Sequence, residues 1–173
     1  VAASIAGDIL RHEDGILVPG GFGDRGIEGK IAACHYAREK DIPFLGICLG
    51  MQIAVVEYAR DVCDLKSAHS GEFDENTPDP VINIMEEKAG IANKGGTMRL
   101  GAYPCCLKPN TILEKLYGES RISERHRHRY EFNNDYLEAF EKAGMKAVGK
   151  NHERGLAEIV EIAVHMWLVG VQF

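Results

Sequence analysis

Ile42-Pro43-Phe44-Leu45-Gly46-Ile47-Cys48-Leu49-Gly50-Met51-Gln52 reads as a buried strand running straight into a helix, with one cysteine at the corner. Phe44, Leu45 and Ile47 form a short apolar run of the kind found in a strand covered on both faces, and Met51 to Arg60 carries helix-forming residues without Gly or Pro. The turn between them is therefore tight. Gly46 and Gly50 stand two residues to either side of Cys48, the spacing of the Gly-x-Ser-x-Gly elbow, where glycines permit a sharp, crowded strand-to-helix turn. A thiol takes the place of the hydroxyl. At that corner Cys48 would sit beside the first free N–H groups of the helix, and the positive end of the helix dipole favours thiolate over thiol. Taken alone, the same residues also describe a core cysteine beside helix-packing glycines.

Upstream, Ala2 to His12 has helix-like composition and leads to a first buried strand at Ile16-Leu17-Val18. Pro19-Gly20-Gly21-Phe22-Gly23 follows at once, so the backbone there approaches something closely or turns with positive φ. Such a loop is a plain glycine turn, a phosphate cradle or an oxyanion hole. No Gly-Lys-Ser/Thr follows it and no G-x-G-x-x-G stands in register before a helix, so beside Cys48 the oxyanion hole fits better. Arg25-Gly26-Ile27-Glu28-Gly29-Lys30 is polar and glycine-punctuated, and Ile31 to Lys40 is a helix with Ile31, Cys34, His35 and Ala37 near one face. Strand, helix, strand, helix implies an α/β fold: three layers, an open and mostly parallel sheet with helices on both faces. Ligands of such sheets bind outside the carboxyl ends of the strands, where Gly20-Gly21 and Cys48 both fall. The two loops face one pocket.

Downstream, Ser67 to Pro80 is a long polar connection holding Glu72 and Phe73, and long loops in compact domains tend to be functional. Val81 to Met85 is a strand, and a charged turn through Lys94 precedes Gly95-Gly96-Thr97-Met98-Arg99-Leu100-Gly101, which opens another strand reaching Leu107. Cys105 and Cys106 point to opposite faces of it and do not share a metal. In Ser123 to Asn134 arginine alternates with histidine. Arg125, Arg127 and Arg129 share one face at period two, either a solvated basic face or a bidentate site for carboxylate or phosphate. The interleaved arginines oppose a zinc site. Asp135 to Gly144 is a capped helix, and Lys146 to Asn151, Glu158 to Ile162 and Leu168 to Phe173 read as three closing strands.

Composition narrows the classes. The 173 residues suit one domain, and 45% hydrophobic residues are enough for a sizeable core. A net charge of −6, from 26 acidic and 20 basic residues, excludes general binding to a phosphate backbone, so no nucleic-acid partner is indicated. Five cysteines without a C-x-x-C pair argue for reduced thiols in the cytoplasm and against zinc. No apolar run approaches the roughly 20 residues needed to span a bilayer. The first residue is Val1, and the chain reads as a fragment.

Pro19 to Gly23, Gly46 to Gln52, Gly95 to Gly101 and Arg125-His126-Arg127-His128-Arg129-Tyr130-Glu131 together resemble, in the same order, the signatures of the class I glutamine amidotransferase family. The last two resemble more narrowly the C-terminal glutaminase domain carried by CTP synthases, with residues 1–173 as one such domain, incomplete at both ends. The resemblance implies that Cys48 is the nucleophile toward the amide of L-glutamine and that Gly21 and Leu49 offer N–H groups to the oxyanion. It also implies that Gln52, Glu72 and Arg129 hold the substrate, with Phe22 over the site. It implies no metal or cofactor in this domain. An N-terminal synthetase domain would use ATP and Mg2+ to aminate UTP to CTP, in a homotetramer. GTP would act as effector, with Arg25, Gly26 and Glu28 in the region implicated. The family's catalytic His and Glu follow a Val-Gln-Phe-like strand end in a His-Pro-Glu motif, and the seven histidines here match no such position. A stand-alone cysteine hydrolase of the same fold, or a binding module without catalysis, are the other readings.

Overall fold

The computed structural model describes residues 2–84 and 98–173, so Met85, the expected turn through Lys94 and the Gly95-Gly96-Thr97 opening of the next strand lie outside the described residues. In chain order the elements are α1 (Ala2–Leu10), β1 (Ile16–Val18), α2 (Ile27–Glu39), β2 (Phe44–Ile47), α3 (Leu49–Asp61), β3 (His69–Ser70), β4 (Pro80–Asn83) and β5 (Arg99–Leu107). They continue with α4 (Ile112–Tyr117), β6 (Arg121–His128), β7 (Glu131–Phe132), a 3-10 turn (Asn134–Tyr136), α5 (Leu137–Ala143), β8 (Met145–Asn151), β9 (Leu156–Ile162) and β10 (Leu168–Val171).

A seven-stranded sheet runs in the order β1-β2-β10-β9-β8-β5-β6, and β3, β4 and β7 make a separate three-stranded sheet. The α/β class and the three layers hold. On one face Phe44, Val160, Ile162 and Leu168 pack with residues of α2, α3 and α5; on the other Ile159, Val169 and Val171 pack with Leu113 of α4. Period-two alternation along β9 and β10 divides these two cores. The expectation of a mostly parallel sheet needs correction: β1, β2 and β10 are parallel, while β10 to β9, β9 to β8, β8 to β5 and β5 to β6 are all antiparallel. For the β8–β9 and β9–β10 pairs the cause is the length of the connections. Only short turns join β8 to β9 and β9 to β10, and parallel neighbours need a crossover of a dozen residues or more.

The β2–α3 corner fixes the rest. Cys48 has φ 52° and ψ −103°, a positive φ that a non-glycine residue holds only under strain. Its N–H donates to the Val171 carbonyl at 2.7 Å and its own carbonyl accepts from Gln52 N–H at 3.2 Å, opening the helix. Both flanking glycines are there because nothing else fits. A Cβ on Gly46 would come within 2.5 Å of the Gly50 carbonyl carbon, and one on Gly50 would run into the Val18 carbonyl. α3 is buried on all sides from Leu49 to Ala59, which explains its near-continuous apolar run.

Elsewhere local signals behave as expected. Asn133 caps the 3-10 turn through its side chain and Gly144, at φ 119°, ends α5. All five cysteines are free, with Cys105 buried and Cys106 partly exposed on the other face. No helix among the described residues is long and apolar enough to cross a membrane.

Gly46→Ala and Gly50→Ala should each destabilise the protein by more than about 3 kcal/mol in urea unfolding, because backbone atoms must move. Gly29→Ala, on the exposed side of α2 with nothing within 4 Å of a new Cβ, should raise stability by about 0.5–1 kcal/mol in the same experiment.

Candidate active site

The carboxyl ends of β1 and β2 bring two loops together. Gly20 packs against Cys48, since a Cβ there would lie 3.4 Å from the cysteine Cβ, and Gly21 packs against Leu49 in the same way. The loop after β3, the end of β6 and the bend into β7 supply the opposite wall. Ser70 on β3 accepts the Glu72 N–H through its hydroxyl at 3.2 Å, which turns the chain so that Glu72 faces the corner. Arg129 and Tyr130 come from the bend between β6 and β7.

Together these elements enclose a cavity of about 200 Å³ lined by Gly21, Phe22, Cys48, Leu49, Gln52, Glu72, Met98, His128, Arg129 and Tyr130. Seven of those positions were expected from sequence; Met98, His128 and Tyr130 were not. Arg25, Gly26 and Glu28 are not part of this lining. Gly26 sits at φ 73° ahead of α2, and Glu28 pairs with Arg60 at 3.1 Å. The three arginines of the β6 stretch do not converge either. Arg129 lines the cavity, Arg127 lies over the Phe22 ring at 6.0 Å, and Arg125 and Arg127 border a separate hollow with Met98, Leu100 and His126.

Cys48 is half-buried, and burial pushes its thiol above the ordinary range, with the charges of Glu72 and Glu131 adding to the rise. The Leu49 N–H and the Gln172 side chain push it down. The expected benefit of the helix N-terminus is thus present as the Leu49 N–H, but burial outweighs it. Glu72 is also raised by burial.

Beneath the cavity lies a buried polar cluster. Arg99 on β5 binds Glu131 of β7 at 3.1 Å and Glu158 of β9 by a short contact. His126 Nδ1 is 2.8 Å from His128 Nε2, and His128 Nδ1 is 3.1 Å from the Tyr130 carbonyl. Burial, followed by the charge of Arg99, lowers His126 to about 3 and His128 to about 4. Burial pushes Glu131 up to about 7 against the pull of Arg99. The signal for its two histidines was in the sequence: where Arg125, Arg127 and Arg129 face out along a strand, His126 and His128 must face in.

Among the described residues, one grouping with metal-ligand chemistry exists away from the cavity. His35, Glu57 and Asp61 bring ligand atoms within 4.8 Å of one another. Arg38 holds Glu57 through contacts of 2.9–3.0 Å, so a cation would have to displace a guanidinium, and the group acts as an ion-pair link between α2 and α3. His35 is therefore structural.

The sequence model for glutamine amidotransferase class-I matches residues 2–173. The chain is 59% identical over 168 residues to a protein named CTP synthase from Flavobacterium psychrophilum, covering 97% of this chain and 31% of that protein. It is 60% identical over 164 residues to the CTP synthase of a Hydrogenobaculum species, covering 95% and 31%. The chain thus spans about a third of the length of these relatives. Among solved structures, the glutaminase domain of Trypanosoma brucei CTPS with bound acivicin superposes with a TM-score of 0.92 at 39% identity, covering 98% of this chain and 66% of that one. A glutamine amidotransferase from Thermotoga maritima, at TM-score 0.60 and 15% identity over 95% of this chain and 56% of that one, shares the fold.

A carboxyl raised in the fold holds a proton that the unfolded chain releases, so its stabilising contribution is complete at low pH and is lost as pH rises through the folded value. For Glu131 that loss runs up to about pH 7. Glu131→Gln removes it, so the melting temperature of the variant relative to the parent should rise between about pH 5 and pH 8. A pH-independent difference would show an ordinary carboxylate.

Proposed function

This chain belongs to the class I glutamine amidotransferase family, and from that premise we propose that it is the glutaminase part of a CTP synthase, with Cys48 as nucleophile toward L-glutamine. The observation that carries the reading is the convergence of Gly21, Phe22, Cys48, Leu49, Gln52, Glu72 and Arg129 on one cavity the size of an amino acid. Arg129 takes the substrate carboxylate and Glu72 the α-ammonium, which leaves the side-chain amide over the sulfur.

The Cys48 thiolate attacks the amide carbon, and the negative charge moves to an oxygen that the Gly21 and Leu49 N–H groups stabilise. Collapse of the tetrahedral intermediate, with a proton delivered to the nitrogen, expels ammonia and leaves a γ-glutamyl thioester. Water then attacks the thioester, giving glutamate and the free thiol. A general base is typically worth about a hundredfold to ten-thousandfold in such steps. In the family that base follows a Val-Gln-Phe-like strand end. Here Val171-Gln172-Phe173 occupies that place, and Gln172 Nε2 lies 3.7 Å from the Cys48 sulfur, which supports the same corner for the base.

In the whole protein the ammonia passes to an N-terminal synthetase domain, which uses ATP and Mg2+ to convert UTP to CTP within a homotetramer. GTP acts as effector, with Arg25, Gly26 and Glu28 as its region. Free thiols at all five cysteines fit a cytoplasmic setting. The relatives named CTP synthase favour this reading over a stand-alone hydrolase.

Cys48→Ala in the full-length protein should abolish glutamine-dependent CTP formation and spare formation driven by added ammonia, measured side by side. Loss of both would show that Cys48 is structural.

A further inference from the structure

The Tyr130 carbonyl accepts from two directions, from His128 Nδ1 at 3.1 Å and from Gln52 Nε2 at 3.1 Å. A carbonyl has no proton to give, so both partners must present N–H. For neutral His128 this leaves Nε2 as a lone pair, and His126 Nδ1–H fills it at 2.8 Å. Each imidazole is thereby confined to one tautomer. Its neutrality is supported by burial and by Arg99 alongside.

On the other side the second hydrogen of Gln52 Nε2 goes to Gln172 Oε1 at 3.3 Å. With both its hydrogens used, the Gln52 amide keeps only its oxygen for whatever enters the cavity. The Gln172 amide has its oxygen turned toward Gln52, so its nitrogen is the end that meets Cys48 Sγ, at 3.7 Å. Gln172 is completely buried, and its backbone N–H is held by the Glu158 carbonyl at 2.8 Å.

We propose that Gln172 is a further residue of the catalytic centre, donating an N–H to the Cys48 sulfur in its anionic form. In the same arrangement the Tyr130 carbonyl, through Gln52, fixes which end of the Gln172 amide faces the sulfur, and His126 is a positioning residue that holds that carbonyl in place through His128. The inference rests on the reading of Cys48 as nucleophile and deepens it. Other groups facing the sulfur are Glu72 from the loop after β3, His128 and Arg129 from the end of β6, Glu131 of β7, and the Leu49 N–H of α3. Glu72 and Glu131 oppose the anion, while the Leu49 and Gln172 N–H donors favour it and Arg129 brings a positive charge to the same cavity.

The test is the pH dependence of Cys48 alkylation by iodoacetamide in the full-length protein, with the labelled peptide identified by mass spectrometry, alongside glutaminase kinetics. Gln172→Glu keeps the size and replaces the donor with an oxygen; Gln172→Met removes the donor without adding charge. Both should raise the alkylation midpoint, by about one pH unit for the glutamate variant, and lower kcat at least tenfold with a smaller change in KM. His126→Phe keeps the ring packing against Tyr103 and Phe173. It should raise KM for glutamine several-fold and move the midpoint in the same direction, and His126→Asn, which retains a donor at the Nδ1 place, should restore the parent profile. Unchanged midpoints in both Gln172 variants would overturn the role of Gln172. Indistinguishable behaviour of His126→Phe and His126→Asn would overturn the relay. Alkylation needs no turnover, so either failure is separate from failure of Cys48 as nucleophile, which Cys48→Ala reports.

Discussion

The carbonyl of Val18 occupies the space that a side chain on residue 50 would need, and much of the molecule follows from that one contact. It brings the start of α3 hard against the end of β1, and the bond from Cys48 N–H to the Val171 carbonyl ties the same corner to β10. Three parallel strands thus meet one helix end, and the backbone of Cys48 is forced into a conformation that an unconstrained chain avoids. Such strain, of order 1–3 kcal/mol, persists only where surrounding packing over-determines it. The helix behind the corner, buried from Leu49 to Ala59, supplies that packing.

The second determinant is electrostatic. Arg99 lies between two buried glutamates, and two neutral imidazoles lie beside the group, His126 Nε2 3.7 Å from Glu158 and His128 Nδ1 3.6 Å from Glu131. Taking such ions out of water costs several kcal/mol each, and mutual attraction compensates only when the geometry is good. Among the described residues Glu158 Oε2, His126 Nε2 and Arg99 Nε have no hydrogen-bond partner, so the compensation is incomplete. A cluster arranged this way contributes less to net stability than to holding Glu131, on the small sheet, against strands of the large one.

Much of this was legible in the sequence because glycine and period-two signals are local. Gly46, Cys48 and Gly50 announced the corner, Gly20-Gly21 the facing loop, and the resemblance of four ordered motifs pointed to Gln52, Glu72 and Arg129. The strand directions were legible too, since three closing strands joined by short turns without helices pair antiparallel with one another. Thr111 and Glu114 carry the spacing of a capping box at the start of α4, and the Thr111 hydroxyl accepts the Glu114 N–H at 3.4 Å. The Arg99, Glu131 and Glu158 cluster was not accessible in the same way. Its members lie up to 59 residues apart, and no short-range pattern marks a pairing that only the folded sheets create.

The cavity has one wall on the β2–α3 corner and the other on segments that flank the three-stranded sheet, Glu72 after β3 and Arg129 and Tyr130 before β7, and among the described residues the two sheets share no ladder of backbone hydrogen bonds. A ladder opens one rung at a time, whereas side-chain clamps such as Arg99 to Glu131 release as a unit. Among the described residues the seam between the sheets is closed by side chains, with Val81, Ile82 and Phe132 of the small sheet in the same core as α3 and Arg99 clamping Glu131. In hydrogen-exchange terms, β3, β4 and β7 would form one cooperative unit and the β2–α3 corner another, with the Cys48 sulfur on the slower side of the seam.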